Sequence, residues 1–214
     1  MLHSSIATPV LWEITAFPVF SMRKRSYEEL CQQRLTPQEL RHAPRHPLII
    51  VLDNVRSLYN VGSIFRTADA VRAQELILCG FTPTPPREEI AKTALGATET
   101  VPWRFIRSAA EAVGELRARG VRVFAVELAT ESRPYDSLQP EEFPAAFVFG
   151  NELVGIQPEV LALCDAALEI PMYGAKHSLN VAVAAGIVLF EAVKVWRRAH
   201  HLVAHNGDSH RRPR

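Results

Sequence analysis

The stretch AAFVFGNELVGI at residues 145–156 joins a strand pattern to a polar loop. Its apolar run FVF predicts a short buried strand. The strand ends on Gly150, and an amide and a carboxylate, Asn151 and Glu152, follow at once. Glycine permits close approach of a backbone or a ligand, and ligands of open α/β sheets gather at the carboxyl ends of strands. We therefore expect a binding site at the end of this strand.

Strand and helix patterns alternate on both sides of this stretch. Apolar runs predict strands at residues 48–52, 75–79, 101–106, 121–126, 147–149 and 167–170. Helical spacing, caps and glycine stops predict helices at residues 27–34, 37–41, 60–71, 86–96, 109–119 and 179–200, with a short one after Pro158. Strands separated by helices form parallel sheets that are covered on both sides. The predicted fold class is α/β, with a mostly parallel sheet and helices on both faces.

The composition narrows the class of protein. The 214 residues, 48% hydrophobic and 22% charged, suit one domain with appendages. The three cysteines form no CxxC pair, so we expect neither disulfides nor a metal, and a reducing, cytoplasmic setting fits. The first residues do not have the pattern of a signal peptide. The longest apolar stretch, residues 181–190, is far below the roughly 20 residues of a membrane span, so no membrane partner is expected.

The charges are unevenly distributed along the chain. Residues 1–46 hold six basic and four acidic residues, residues 194–214 hold six and one, and the body between them holds 12 and 18. Contacts with a polyanion would begin at the two ends, unless these are simply solvated. We divide the chain into a partly helical arm (1–46), a globular domain (47–196) and a basic, histidine-rich tail that we expect to be disordered (197–214).

Residues 52–70 form a second polar stretch after a predicted strand. Asn60 is placed to cap a helix that carries Gly62 and Arg66. A helix N-terminus together with a guanidinium would hold a phosphate or a sugar. The alternative is that Asn60 is only a cap and Arg66 only a surface ion-pair partner.

Residues 170–186 form a third polar stretch after a predicted strand. Ser178 is placed to cap the last helix, and Asn180 would lie in its first turn, where the helix dipole favours negative charge. His177 is expected at the surface.

Together the three stretches resemble the three motifs of the SPOUT-class methyltransferases, specifically the TrmH-like (SpoU) RNA ribose 2′-O-methyltransferases. The resemblance runs over about residues 47–195 and keeps the order and spacing of the motifs, and KTALGATETVPW at residues 92–103 is similar as well. The matching residues are Asn60, Gly62, Arg66, Gly150, Asn151, Glu152, Gly155, Ile170, Pro171, Met172, Ser178, Leu179 and Asn180.

The resemblance implies a fold and a cofactor. The C-terminal part of the sheet is expected to form a deep trefoil knot, the alpha-beta knot of the SPOUT class, which holds S-adenosyl-L-methionine in a bent shape. The cofactor-binding residues that carry over are Leu128, Gly150, Ile170, Met172 and Leu179. In this interpretation the strand stops at Gly150 because the cofactor needs that space.

The resemblance also implies methyl transfer to a ribose 2′-hydroxyl. The family assigns removal of the hydroxyl proton to Arg66, helped by an RNA phosphate that Ser178 places. Because a guanidinium is practically always protonated, Arg66 is better suited to orientation and charge stabilisation than to the role of a base. Asn60, Glu152 and Asn180 are expected to hold Arg66 and the ribose in register. Glu152 and Arg66 are predicted to form a buried ion pair.

The partners implied are RNA and a second copy of the chain. Members of the family act as homodimers with sites lined by both subunits, and the nearly all-apolar last helix is predicted in that interface. Residues 1–46 are too short for the RNA-binding domain of many relatives, so RNA capture would fall to the arm, the tail and the dimer surface. We expect tRNA in preference to rRNA; no pattern indicates the nucleotide. Leu153 departs from the family, which often has glycine there.

Three alternatives are weighed against this function. A non-catalytic RNA-binding dimer of the same fold would not need all five polar motif residues. A dinucleotide-dependent oxidoreductase needs G-x-G-x-x-G after the first strand, where this chain has DNVRSLYNVGS. A serine hydrolase using Ser178 and His177 needs a G-x-S-x-G elbow, which Ser178 does not have.

Overall fold

The computed structural model describes residues 22–32 and 34–200. The predictions made for residues 1–21 of the arm and 201–214 of the tail lie outside the described residues. The chain divides into two compact units, of which the first ends at Leu35.

The first unit contains one described helix, α1 (Tyr27–Gln32), which confirms the helix predicted at residues 27–34 in a shorter form. Its start is stabilised by a reciprocal pair of hydrogen bonds. The Ser26 N–H donates to the Glu29 carboxylate at 2.8 Å, and the Glu29 N–H donates to the Ser26 hydroxyl at 3.3 Å. Arg23 forms an ion pair with the same carboxylate at 2.6 Å.

The second unit is built on a seven-stranded sheet in which all pairings are parallel. The strands are β1 (His46–Asp53), β2 (Ala73–Cys79), β3 (Trp103–Ile106), β4 (Arg122–Val126), β5 (Arg133–Pro134), β6 (Ala145–Phe149) and β7 (Ala166–Glu169). Their order across the sheet is β3-β2-β1-β6-β4-β7-β5. The strand that precedes the Gly-Asn-Glu loop, β6, therefore lies in the middle, between β1 and β4. All six predicted strands are present.

Helices cover both faces of this sheet. The helices are α2 (Pro37–His42), α3 (Leu58–Ala70), α4 (Glu88–Ala94), α5 (Ala97–Thr100), α6 (Ala109–Ala118), α7 (Pro158–Leu161) and α8 (Val181–Ala199). Helices α3, α4, α5 and α8 share one apolar cluster with Ile50 of β1, whereas α6 and α7 share the other with Ile49. Successive strand side chains point to opposite faces, so an apolar run such as β1 fills both clusters. The predicted parallel α/β class is confirmed.

Strand β5 and helix α5 were not predicted from the sequence. Strand β5 has only two residues and lies in a Pro-rich stretch without a strand pattern. Helix α5 follows α4 directly, because Leu95 and Gly96 both adopt left-handed conformations, at φ 50° and 88°, and restart the chain in a new helix. Gly96 thus ends one helix, as predicted, and begins another.

The predicted caps of α3 and α8 are wrong. Ser57, not Asn60, caps α3 and accepts a hydrogen bond from the Asn60 N–H. Asn180, not Ser178, caps α8 and accepts from the N–H groups of Ala182 and Val183. Asn60 is not the cap because it lies within the first turn of α3. Ser178 is not the cap because it lies in the loop, two residues before the cap of α8.

No helix in the part of the chain that the structure describes is both long enough and apolar enough to cross a membrane.

Candidate active site

A cavity of about 520 Å³ lies at the carboxyl ends of β4, β6 and β7, where the chain enters α8. Its volume is in the range of small-molecule sites, and its position is the one that open α/β sheets use for ligands. All five predicted cofactor residues line it, namely Leu128, Gly150, Ile170, Met172 and Leu179. The predicted catalytic residues that line it are Glu152, Ser178 and Asn180.

A chain of side-chain hydrogen bonds crosses the rim of this cavity. Asn180 donates from Nδ2 to Asn60 Oδ1 at 3.1 Å, and Asn60 donates from Nδ2 to Glu152 Oε1 at 3.0 Å. The Asn180 oxygen is occupied by the first N–H groups of α8. Three of the five predicted catalytic residues are therefore in contact, although they come from α3, the loop after β6 and the start of α8.

Glu152 joins the loop after β6 to the start of α3. Its Oε2 accepts from the Arg56 N–H and its Oε1 from the Ser57 N–H, both at 3.0 Å. Desolvation acts to raise the pKa of Glu152, but the hydrogen bonds from Arg56, Asn60 and Ser57 outweigh it and the pKa lies below its ordinary value. A carboxylate at this helix end is also favoured by the helix dipole. Glu152 is therefore held as an ionised acceptor.

Asn151 shapes the loop that carries Glu152. It forms an isolated antiparallel bridge with Gly155, with N–H···O bonds of 3.0 and 2.9 Å. Its side-chain oxygen accepts from the Leu153 N–H at 2.9 Å, and its Nδ2 donates to the Asn54 carbonyl at 2.8 Å. The loop is thereby closed on itself and attached to the segment after β1. Leu153, the departure from the family pattern, is at the tip and 90% exposed, so its side chain does not strain this turn.

The need for glycine at position 150 has a different origin from the one predicted. A Cβ on Gly150 would collide with the main chain of Gly155 and Ile156, which folds back against it. The space that a side chain would take is thus filled by the protein itself and not held open for a cofactor. Gly62 is constrained in the same way, because a Cβ there would meet Thr93 and the Ile90 carbonyl of α4. The prediction of a ligand contact as the reason for Gly150 is corrected accordingly.

Glu127 is a cavity residue that the sequence analysis missed. Its carboxylate lies over Gly155, which has a positive φ of 71°, and accepts from the N–H groups of Leu128 and Ile156, both at 3.0 Å. It joins the end of β4 to the end of the loop after β6. The available signal was an acidic residue directly after the predicted strand at 121–126.

Arg66 is not brought to the cavity. It is exposed on α3 and has no hydrogen bond or ion pair with any residue that the structure describes, so the predicted buried pair with Glu152 is not formed. The reason is helical geometry, since six residues correspond to a rotation of about 600° and place Arg66 about 120° away from Asn60. His177 and Ser178 are exposed in the loop before α8, as expected for His177.

The described residues contain no cluster of three or more His, Cys, Asp or Glu side chains that is arranged to hold a metal ion.

The sequence of this domain matches a known family. The SpoU rRNA Methylase family profile matches residues 47–190. The chain belongs to the SpoU rRNA methylase family. The segments that build the cavity rim, from α3 to the start of α8, all fall within the matched region.

Several RNA methyltransferases are similar to this chain over much of its length. The 23S rRNA (guanosine-2'-O-)-methyltransferase RlmB of Ralstonia nicotianae is 38% identical over 150 residues, which are 69% of this chain and 59% of that protein. The tRNA (guanosine(18)-2'-O)-methyltransferase of Thermus thermophilus is 35% identical over 170 residues, 79% of this chain and 81% of that protein. The chain spans less than two thirds of the first of these relatives. The AdoMet-bound rRNA methyltransferase from Sinorhizobium meliloti superposes with a TM-score of 0.67 at 34% identity, covering 80% of this chain and 63% of that one.

Proposed function

We propose that this protein transfers a methyl group from S-adenosyl-L-methionine to a ribose 2′-hydroxyl of RNA. The observation that carries the proposal is the hydrogen-bonded set Asn180–Asn60–Glu152 on the rim of the 520 Å³ cavity. The similar proteins support it, since one is named as a tRNA and another as a 23S rRNA guanosine-2'-O-methyltransferase.

The cavity suits the cofactor that this reaction needs. It combines apolar side chains such as Leu128, Ile170 and Met172 with main-chain groups at three strand ends, the mixture that small-molecule sites use. Leu128, Gly150, Ile170, Met172 and Leu179 would hold S-adenosyl-L-methionine, and a similar protein has been solved with AdoMet bound. The cofactor supplies an electrophilic methyl group on a sulfonium.

The polar residues of the rim would position the RNA, and the proton of its 2′-hydroxyl would pass to the adjacent RNA phosphate or to water. Glu152 already accepts three hydrogen bonds and has a lowered pKa, which makes it a weak base at neutral pH. Asn60 and Asn180 each have a second amide hydrogen for the ribose. Ser178 and, from a second copy of the chain, Arg66 would bind the adjacent phosphate. Alignment of the two reactants is the main requirement of such a transfer.

The trefoil knot is part of the proposal. Strand β6 enters the middle of the sheet after the chain has already passed through β4 and β5, and α8 then returns to pack against α3 and β1. This order supports a knotted path through residues 150–180. The resemblance to the SPOUT class is the other support for the knot.

A homodimer would complete the site. Helix α8 leaves Val183 and Phe190 at 51% and 55% exposure on one side, as expected of a helix that a second copy covers. A second copy would also account for Arg66, which lies outside the cavity of its own chain and would reach the cavity of its partner.

tRNA is the proposed substrate in preference to rRNA, and the cytoplasm, where both occur, is the proposed location. The similarity to the tRNA methyltransferase of Thermus thermophilus extends over 170 residues of this chain, and the similarity to the RlmB of Ralstonia nicotianae extends over 150. An RNA-binding dimer without catalysis is the second candidate.

The test is methyl transfer from labelled S-adenosyl-L-methionine to total small RNA and to ribosomal RNA. Wild type is expected to label the small RNA, and Arg66→Ala is expected to lose the label. Arg122→Ala, which changes an exposed arginine at the opposite end of the sheet, serves as the matched control. Cofactor binding without label in either RNA pool would favour the non-catalytic dimer, and label only in ribosomal RNA would overturn the tRNA preference.

A further inference from the structure

A second concave surface lies beside the carboxyl ends of β1, β2 and β3. This groove, of about 590 Å³, is lined by Arg56, residues 80–84, Arg87, Trp103 and Phe105. None of these residues lines the 520 Å³ cavity, and none of their side chains has a role in the proposed transfer.

Aromatic rings dominate the groove. Phe81 is 77% exposed and Phe105, on the edge strand β3, is 51% exposed. Trp103 is half-buried against the core, and its ring is nearly perpendicular to that of Phe65 at 6.2 Å. A single exposed aromatic residue needs no explanation, but three in one groove mark a surface that binds something flat or apolar.

The groove is also positively charged. Arg56 lies over the Phe81 ring at 5.8 Å, and neither its guanidinium nor that of Arg87 has a carboxylate partner among the residues that the structure describes. Two acidic residues close to these arginines in the chain are engaged elsewhere: Glu88 with Lys92 at 2.8 Å, and Asp53 with Asn54 at 2.8 Å. Two unpaired arginines in a body that is acidic overall indicate an anionic partner.

The loop that presents Phe81 is fixed before any partner arrives. Thr82 is 3% exposed, and its hydroxyl donates to the Leu52 carbonyl at 3.2 Å and accepts from the Val55 N–H at 3.1 Å. The Phe81 N–H donates to Asn54 Oδ1 at 2.9 Å. The ring is therefore held in solvent by bonds to the segment after β1, and binding would require little ordering of the loop.

We propose that this groove binds an unpaired RNA strand next to the methylated nucleotide. Bases stack on Phe81 and Phe105, and phosphates pair with Arg56 and Arg87. Exposed ring faces suit unstacked bases and not a duplex. The groove adjoins the site through Arg56, whose main-chain N–H donates to Glu152 at 3.0 Å. This inference rests on the proposed function in taking RNA as the ligand.

The test is direct binding of the full chain to a 5′-fluorescein-labelled, mixed-sequence, single-stranded 12-nucleotide RNA, followed by fluorescence anisotropy without cofactor. Phe105→Ala is expected to raise the Kd at least about five-fold, the lower end for one base stacked on a ring. Phe105→Tyr keeps the ring and is expected to bind as wild type does. Arg87→Ala is expected to reduce the slope of log K against log salt by about 0.7, the value for one phosphate of a single strand, and Arg122→Ala to leave it unchanged.

The outcomes separate this inference from the proposed function. Equal binding of Phe105→Ala, Arg87→Ala and wild type, or a wild type that does not bind the probe, overturns the groove. A change of oligomeric state in Phe105→Ala, measured by sedimentation, would make the groove a protein contact and overturn it too. If both variants transfer the methyl group with unchanged KM, the groove does not bind the substrate RNA, and the proposed methyltransferase function stands. If the variants lose RNA binding and wild type transfers no methyl group, RNA binding by the groove is supported, and the proposed methyltransferase function is rejected.

Discussion

The Asn180 side-chain amide donates a 3.1 Å hydrogen bond to the side-chain oxygen of Asn60, 120 residues earlier in the chain. The Asn60 side-chain amide in turn donates a hydrogen bond to Glu152. The bond thus joins the start of α3, the loop after β6 and the start of α8. These are the three segments that carry the polar motifs, and each amide is oriented by the next.

Removal of the Asn60 side chain should separate activity from stability. Asn60→Ala breaks both side-chain bonds, but the site is open to water, so we expect the free energy of unfolding to fall by only about 1 kcal/mol. Methyl transfer should fall by about 100-fold or more, because Glu152 and Asn180 lose their common orientation. Urea denaturation and labelled transfer to the RNA that wild type modifies measure the two effects.

Ser63→Ala is the matched control for that variant. Ser63 lies on the same helix, and its hydroxyl donates to the Tyr59 carbonyl within the helix. It should leave transfer unchanged. An Asn60→Ala enzyme that works at the wild-type rate would show that the amide chain has no part in positioning the RNA.

Gly150→Ala tests whether the main chain of the loop defines the cavity. The new Cβ would meet backbone atoms of Gly155 and Ile156, which cannot move aside as a side chain can. We expect the free energy of unfolding to fall by about 1–3 kcal/mol and the affinity for S-adenosyl-L-methionine, measured by calorimetry, to fall with it.

The same substitution at Gly114 should have the opposite effect on stability. Gly114 is an exposed residue of α6, and a Cβ there would meet no atom within 4 Å. Alanine in a helix interior is favoured over glycine by about 1 kcal/mol. Equal stability of the two variants would mean that the loop adapts to the added methyl group.

The sheet could be predicted from sequence because its signals are local. A buried parallel strand is a run of consecutive apolar residues, and β1, β4 and β6 each have one. Strand β5 could not be found, since two residues in a Pro-rich stretch form no pattern and pair with β7 only through tertiary structure.

The residues of the site could be predicted from the sequence, but the contacts between them could not. Asn60 and Ser178 both suit an N-cap by residue type, yet Asn60 instead bonds to Glu152, 92 residues away. No local pattern contains that competition. The same holds for Gly150, whose constraint comes from a loop that folds back on it, and for Arg66, whose helix face is set by packing against α4 and α8.

His46 should make the stability of the protein depend on pH near neutrality. It is 7% exposed, and burial lowers its pKa from the ordinary 6.5; the bond to the Val71 carbonyl acts in the other direction, and Arg72 and Arg197 lower the pKa further. The folded state therefore binds the proton less well than the unfolded state. The contribution of neutral His46 to the free energy of unfolding should be fully present above about pH 6.5. It should be lost as the pH drops below this value, by at most about 1.4 kcal/mol per pH unit for one proton.

Urea denaturation between pH 7.5 and 5.5 measures this dependence. His46→Gln retains an amide that can donate to the Val71 carbonyl and should flatten the slope, whereas His42→Gln, at an exposed position of α2, should retain it. A His46→Gln protein with the wild-type slope would assign the dependence to other groups.

Phe190→Glu should convert the proposed dimer into monomers. Phe190 is 55% exposed on α8, and Val183 lies two turns earlier on the same side at 51%. A charge at the centre of a covered apolar face is left without a partner and is strongly destabilising to the assembly. We expect wild type to sediment as a dimer at micromolar concentration and Phe190→Glu as a monomer with unchanged circular dichroism.

Phe81→Glu is the matched control, since Phe81 is more exposed, at 77%, but lies in the groove beside β2 and not on α8. It should remain dimeric and lose affinity for single-stranded RNA. Because Arg66 would reach the cavity only from a second copy, monomeric Phe190→Glu should also lose methyl transfer while it still binds the 12-nucleotide RNA. A monomer with full transfer activity would contradict the shared site, and a monomeric Phe81→Glu would move the dimer interface to the groove.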